Sequence, residues 1–330
     1  MNQAFHRLAV TAAVLAFCVI VLGAWVRLSD AGLGCPDWPG CYGQLTWPKA
    51  DHAVQQANEA FPERPVEVHK AWREMVHRYL AGVLVLAVLA LNWLAWRGRD
   101  GAHAHRGKTT ALLVLILFQA ALGMWTVTLK LWPIVVMAHL LGGMATLALL
   151  TWIIYANRYA RSYVPGPQLG RMKPLVRVAL GVLVLQIALG GWTTANYAAL
   201  VCPDLPTCQG QLWPQTNFRE GFEISRELGV DFEGGVLDLP ARTAIHMTHR
   251  VGAVVTLLLL LYTGFRLARI PSLQRGGVLL ISLVSLQFLL GLLNIALQLP
   301  LANAVAHNGV AALLLATLTG LAYRTAGGRA

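Results

Sequence analysis

The sequence predicts an all-α polytopic membrane protein. Eight transmembrane helices form two tandem four-helix bundles, related by a pseudo-two-fold axis along the membrane normal. Three observations predict it. Apolar residues make up 56% of the chain and charged residues only 12%, about half the charged fraction of an ordinary soluble domain. The apolar residues gather into runs of roughly 20, the length that crosses a hydrocarbon core about 30 Å thick. Two long stretches also repeat one ordered set of motifs. A soluble fold would have to bury every one of these runs in a single core.

The spans fall at about 8–27, 75–96, 109–129, 133–156, 175–195, 243–265, 276–298 and 301–322. Each should be helical, because lipid offers no partner to backbone polar groups. The first run, Leu8 to Val26, lacks a small-residue cleavage site and is read as a retained span. An Arg- and Ser-rich transit peptide is also missing, which points to a bacterial chain. The net charge of +11 resides mainly in short loops between spans, so it marks orientation rather than nucleic-acid binding. With the N-terminus inside, the inner segments hold Arg7, Arg97, Arg99, Arg106, Lys108, Arg158, Arg161, Arg171, Lys173, Arg177, Arg266, Arg269, Arg275, Arg324 and Arg329. That is 15 of the 26 basic residues, against the single inner acid Asp100. The positive-inside rule therefore places both termini in the cytoplasm of a bacterial inner membrane. The two long loops, 29–74 and 196–242, lie on the periplasmic side. Lipid is the expected surrounding partner, and a homo-oligomer is left open.

The repeat organises the chain. Residues 34–48 read GCPDWPGCYGQLTWP and residues 201–214 read VCPDLPTCQGQLWP. His77-Arg78 opens the second span and His249-Arg250 the sixth. Gln119-Ala-Ala-Leu-Gly123 lies in the third span, Gln287-Phe-Leu-Leu-Gly291 in the seventh. Pro133 then Ala138-His139, and Pro300 then Ala306-His307, follow in the same order. Residues 1–160 should thus be one bundle, 161–174 a cytoplasmic linker and 175–330 the second bundle. Each half has an even number of spans, so the two run in the same direction rather than inverted.

Four histidines, His77, His139, His249 and His307, enter even-numbered spans from the outer side. His139 and His307 come roughly 10 Å below the start of their spans, so the four imidazoles can share one depth. Ionisable groups inside lipid are costly and usually functional, and imidazole is a common metal ligand. No cysteine or carboxylate cluster accompanies them to complete a zinc site. Two facing imidazoles in a four-helix bundle suit axial ligation of a haem iron, His77 with His139 and His249 with His307. Arg78 and Arg250 follow a ligand candidate. They fit either a haem propionate or an end residue snorkelling to the interface. His246, near the outer end of the sixth span, is ambiguous.

The halves differ at one position. The first reads Glu74-Met-Val-His77 and the second His246-Met-Thr-His249. Glu74 shares a helix face with His77, so it is placed either as a general base beside a haem or as a carboxylate favoured by the helix dipole. On that difference the first half is the reaction site and the second holds a resident haem. The cysteine pairs Cys35-Cys41 and Cys202-Cys208 lie on the oxidising side, where disulfides persist. Their intervening prolines permit a tight turn, so pairing within each loop is expected, either as a staple or as an exchangeable bond. Cys18, inside the first span, reads as packing.

These residues resemble the haem A synthases of bacteria and mitochondria over nearly the whole chain. The resemblance rests on Gly34-Cys35-Pro36-Asp37-Trp38-Pro39-Gly40-Cys41, Glu74-x-x-His77-Arg78, His139, His249-Arg250 and His307, in the class with a cysteine pair in each half. It implies an oxidoreductase that converts the C8 methyl of haem O to the formyl of haem A, by two hydroxylations and loss of water. It implies substrate haem between His77 and His139, haem b between His249 and His307, Glu74 as the catalytically important carboxylate, and Cys35-Cys41 as the family's disulfide. A haem O synthase would supply the substrate, and a haem-copper oxidase would receive the product. Three other readings compete: a quinol-linked di-haem cytochrome b, a thiol-disulfide enzyme, and a transporter. The first explains the histidines but not the lone Glu74 or the cysteine loops. The second needs no histidine quartet, and the third sits poorly with so few other intramembrane charges.

Overall fold

The computed structural model describes residues 3–98, 102–159 and 167–326. Eight helices are long and apolar enough to cross a membrane. They are α1 (Gln3–Leu28), α3 (Val68–Arg97), α4 (Arg106–Thr128), α5 (Pro133–Arg158), α6 (Pro167–Ala195), α8 (Leu239–Ala268), α9 (Gln274–Ala296) and α10 (Leu301–Ala326). Two shorter helices, α2 (Asp51–Ala60) and α7 (Phe218–Gly221), lie in the long loops. A 3₁₀ turn, Ala102–His105, precedes α4. Among the described residues there are no strands, only isolated bridges between Cys41 and Gln44 and between Cys208 and Gln211. The protein is an all-α polytopic membrane protein.

Several boundaries differ from those read off hydropathy, α1 among them, which begins at Gln3 rather than near residue 8. α3 begins at Val68 and α8 at Leu239, each at least one turn before its apolar run. Hydropathy marks where lipid begins, and the helix continues outward beyond it through polar residues. His77 and His249 therefore lie several turns inside their helices rather than at the start. α6 begins at Pro167, so the second part of the expected linker is helical, with Pro174 inside it. Proline suits a first turn, where its missing N–H is not needed. Residues 161–166 of that linker, and with them Arg161, lie outside the described residues, as do Arg99, Asp100 and Arg329.

Local chemistry sets the helix starts. Asp238 caps α8, its Oδ1 accepting from the Ala241 N–H at 2.8 Å, and Pro240 occupies the first turn. The α4–α5 and α9–α10 turns use the same device. Lys130-Leu131 and Gln298-Leu299 both adopt positive φ. The Leu131 N–H then reaches the Thr126 carbonyl at 2.8 Å and the Leu299 N–H the Asn294 carbonyl at 2.7 Å. These bonds satisfy carbonyls that a helix end leaves open, and a proline follows to start the next helix.

Helices α1, α3, α4 and α5 pack as one ring, and α6, α8, α9 and α10 as another. α10 also packs on α1 and α5, and α5 on α6. More than half of the α10 membrane window is inside the protein (56%), against 11% for α9. α10 is thus the central helix and α9 a lipid-facing one. A continuous apolar core runs through both rings, including Leu91, Leu112, Leu150, Leu260 and Leu318. On the face carrying the long loops, Arg64 bridges to Asp231 at 2.8 Å and Glu233 at 2.6 Å. Arg27 donates to the Tyr197 hydroxyl at 3.0 Å and to the Thr194 carbonyl at 2.9 Å.

Candidate functional site

The two cysteine loops are built alike. Cys35–Cys41 and Cys202–Cys208 are both disulfide-bonded, as their spacing predicts. Asp37 accepts from the Tyr42 and Gly43 N–H groups at 2.6 and 2.8 Å. Asp204 accepts from Gln209 and Gly210 at 2.7 and 3.0 Å. Each carboxylate thereby closes a hairpin turn whose two central residues have positive φ, the conformation that Gly43 and Gly210 adopt without a steric cost. Hydrogen bonds to Thr207, Gly210 and Gln209 hold the Asp204 carboxyl down at about 2.

The arginines that follow two of the histidines clamp these loops. Arg78 donates to the carbonyl oxygens of Asp37 at 2.9 Å, Pro39 at 3.3 Å and Gly40. Arg250 donates to those of Thr207 at 2.8 Å, Cys202 at 2.7 Å and Asp204 at 2.9 Å. Neither snorkels. A guanidinium offers five donors in a fixed fork, and a loop that turns back on itself presents several carbonyls to meet it.

Glu74 is 5% exposed, and its two oxygens have different partners. Oε1 accepts from Arg78 at 2.5 Å. Oε2 accepts from the Cys35 backbone N–H at 2.9 Å. The carboxylate thus ties α3 to the first residue of the disulfide one turn from His77. In the second half His246 stands at this position. Its Nδ1 lies 2.8 Å from the Ala198 carbonyl, and its Nε2 is buried without a partner. Among the described residues no carboxylate makes an ion pair with Arg250 as Glu74 does with Arg78.

Each of the four histidines rests on a glycine of a neighbouring helix. A Cβ built on Gly23 would lie 2.9 Å from His77 Cε1, and one on Gly190 3.1 Å from His249 Cε1. On Gly123 and Gly291 it would lie 3.3 Å from Cε1 of His139 and His307. Any side chain at Gly23 would push the imidazole out of place. Three rings also meet a glutamine. Gln119 places its amide 3.0 Å from His139 Nδ1, and Gln186 lies 3.0 Å from His249 Nδ1. Gln287 lies 3.1 Å from His307 Nε2.

In the first half the paired histidines stand on α3 and α5, and in the second on α8 and α10, helices of one ring in each case. All four histidines are half-buried. His77 Nδ1 and His307 Nδ1 are sealed from solvent without a partner. Among the described residues no three of His, Cys, Asp and Glu are grouped to hold a metal ion. This donor set, two imidazoles per half and nothing to complete a tetrahedron, fits axial ligation of porphyrin-bound iron.

Sequence reasoning found Gln119, Gly123, Gln287 and Gly291 but missed Gly23, Gln186 and Gly190. Gln186-Ile-Ala-Leu-Gly190 has the same spacing and is the signal that could have found them. Gly23 carries only half of that signal, and its role shows only in the packing.

Eight apolar helices, two intramembrane imidazole pairs near one face and a buried carboxylate beside one pair define a class: polytopic all-α membrane proteins with paired intramembrane histidines. Within it, the chain belongs to the cytochrome oxidase assembly protein family (COX15-CtaA), whose model matches residues 6–319. It is 46% identical to the haem A synthase of Shewanella oneidensis, over 94% of this chain and 93% of that one. It is 29% identical to the haem A synthase of a Caulobacter species (94% and 93% covered) and 28% identical to that of Rhodopseudomonas palustris (94% and 87% covered).

Proposed function

We propose that this protein is a haem A synthase, an oxidoreductase that converts the C8 methyl of haem O to the formyl group of haem A. The observation that carries the reading is the difference between the halves. Both have an imidazole pair, a clamped disulfide loop and an arginine, but only the first has a buried carboxylate one turn from a histidine. The 46% identity to a haem A synthase over 94% of the chain supports the same reading.

His77 and His139 hold substrate haem O in the 1–160 half, through its iron. Hydroxylating the methyl twice, a four-electron oxidation whose electrons an external acceptor or dioxygen must take, gives a geminal diol. Losing water from a diol takes a proton from one hydroxyl and gives one to the other, and Glu74 is the group placed to move it. The Cys35 N–H and Arg78 hold both carboxylate oxygens in place before substrate arrives, so no reorganisation is needed during the reaction. His249 and His307 hold a resident haem b in the 175–330 half, which supplies a one-electron redox centre beside the reacting half. Arg78 and Arg250 fix the loops over the two sites. Arg250 Nε, buried and without a partner, is a donor left for a propionate.

The chain lies in the bacterial inner membrane with both termini cytoplasmic and both disulfide loops periplasmic. Support comes from the basic residues at the helix ends away from the loops: Arg97, Arg158, Arg266 and Arg324. A haem O synthase supplies the substrate, and a haem-copper oxidase takes up the product. The test is to express the chain in membranes that make haem O but no haem A, then extract the haems and identify them by mass. Haem A in the extract is the expected result. Unaltered haem O, with haem b on the purified protein, would favour an electron-carrying di-haem cytochrome instead.

A further inference from the structure

The outer ends of the two halves are filled differently. In the second half Trp192 of α6 is only 4% exposed. It packs with Leu237, Ile245 and Phe222, and its indole N–H donates to the Gly221 carbonyl at 2.8 Å. The second long loop thus closes that place with its own side chains. Trp25 of α1 corresponds to it, since each tryptophan follows by two residues the glycine on which the first histidine of its half rests. The apolar residues of the first long loop gather elsewhere, around Tyr42, Ala57 and Phe61. Trp25 stands instead at the outer end of an open apolar groove of about 430 Å³. Phe17, Val21 and Leu22 of α1, Leu80 of α3 and Val305 of α10 form the rest of its walls. The groove lies on the side of α1 that carries the exposed Val14 and Cys18, so it opens toward lipid. From Phe17 to Trp25 it runs roughly 12 Å along the helix, at 1.5 Å per residue.

A second difference lies at the same place. Four residues before His249 comes Ile245, fully buried, whereas four before His77 comes Arg73. The Arg73 guanidinium stacks over the Trp25 ring at 4.9 Å, and its Nε is sealed from solvent without a partner. Among the described residues no acid forms an ion pair with it. The adjacent Glu74 is already engaged by Arg78 and the Cys35 N–H. Trp25 comes three residues before the end of α1 and meets Trp72 edge-on at 5.5 Å. Tryptophans gather at the level of the lipid headgroups, and Arg73 lies at that level.

We propose that α1, α3 and α10 form a binding site for an anionic phospholipid, its phosphate on Arg73 and one acyl chain in the groove below Trp25. A guanidinium matches the oxygens of a phosphate, and an uncompensated charge beside hydrocarbon calls for such a partner. No free carboxylate stands there to receive the ammonium of a zwitterionic headgroup, so the site favours an anionic one. An acyl chain supplies the dispersion contacts that an empty groove forfeits. The lipid does for the first half what Phe222 and Leu237 do for the second: it fills the outer end beside the helix that carries the first histidine. The site does not depend on what the histidines bind.

The test uses the full chain, delipidated in detergent, and native mass spectrometry of its complexes with dioleoyl phosphatidylglycerol or dioleoyl phosphatidylcholine, which share their acyl chains. The wild type should prefer phosphatidylglycerol by about fivefold, the contribution of one basic residue at a charged headgroup layer. Arg73→Gln should abolish the preference, and Arg73→Lys, which keeps the charge, should retain it. Arg97→Gln removes the same charge at the opposite end of α3 and should leave the preference unchanged. Cys18→Trp fills the groove and should weaken both lipids alike. Equal binding of the two lipids by the wild type, or equal losses from Arg73→Gln and Arg97→Gln, would overturn the proposal. Undiminished binding by Cys18→Trp would overturn the placement of the acyl chain. Displacement of phosphatidylglycerol by ferric iron protoporphyrin IX would overturn it in favour of a haem carboxylate on Arg73.

Discussion

Replacing Arg78 by methionine removes the counter-charge of a carboxylate that is only 5% exposed. It also removes the donors that hold the Asp37, Pro39 and Gly40 carbonyls. Glu74 keeps the Cys35 N–H at 2.9 Å. Breaking a buried ion pair by deleting one side costs about 3–5 kcal/mol, most of it the penalty for the stranded charge. The second half contains its own control. Arg250→Met loses three bonds to loop carbonyls but strands no buried, ion-paired carboxylate, so it should cost less, about 1.5–3 kcal/mol. If the stranded charge accounts for the difference, neutralising Glu74 should remove it. Glu74→Gln/Arg78→Met is therefore expected to be more stable than Arg78→Met alone by about 2 kcal/mol. The assay is a double-mutant cycle on unfolding midpoints of the detergent-solubilised protein, followed by tryptophan fluorescence. Strict additivity, or equal costs for the two arginine variants, would refute the view that Arg78 and Glu74 act as a pair.

Three further outcomes follow from the loops and the seats. Without reductant, the denatured protein should take up alkylating agent at Cys18 alone, and at all five cysteines after reduction, as read by intact mass. The carboxyl of Asp204 is held at about 2, below its ordinary 3.8. Its contribution to the second loop is therefore present above 3.8 and lost as pH falls from there to about 2. Asp204→Asn should flatten the unfolding midpoint across that window, and an unchanged slope would count against the hairpin's dependence on that carboxylate. Gly190→Ala places a Cβ 3.1 Å from His249 Cε1. It should reduce second-half haem binding, measured as the pyridine haemochrome per protein, by about tenfold or more.

Much of this was legible in the chain. The spans are legible because lipid demands long apolar runs with their backbone satisfied inside. The four histidines and both cysteine pairs are legible because the chain contains its own comparison, and a residue repeated in register stands out from one that is merely present. What stayed hidden depends on acceptors that every residue has. Arg78 and Arg250 meet backbone carbonyls, and a carbonyl leaves no mark in a sequence. The outer turns of α3 and α8 were hidden too, because residues such as His69, Lys70 and Arg73 read as loop by hydropathy although they continue the helix. Gly23 reads as one small residue among many in a membrane helix until the packing puts His77 against it.

The central claim is that the first half is the reaction site and Glu74 its proton-moving group. Glu74→Gln tests it most directly. The variant should be expressed in membranes that make haem O, and the extracted haems identified by chromatography and mass. The account predicts haem O or a hydroxylated intermediate in place of haem A, with haem b still bound at the wild-type level. Full conversion to haem A by Glu74→Gln would contradict it.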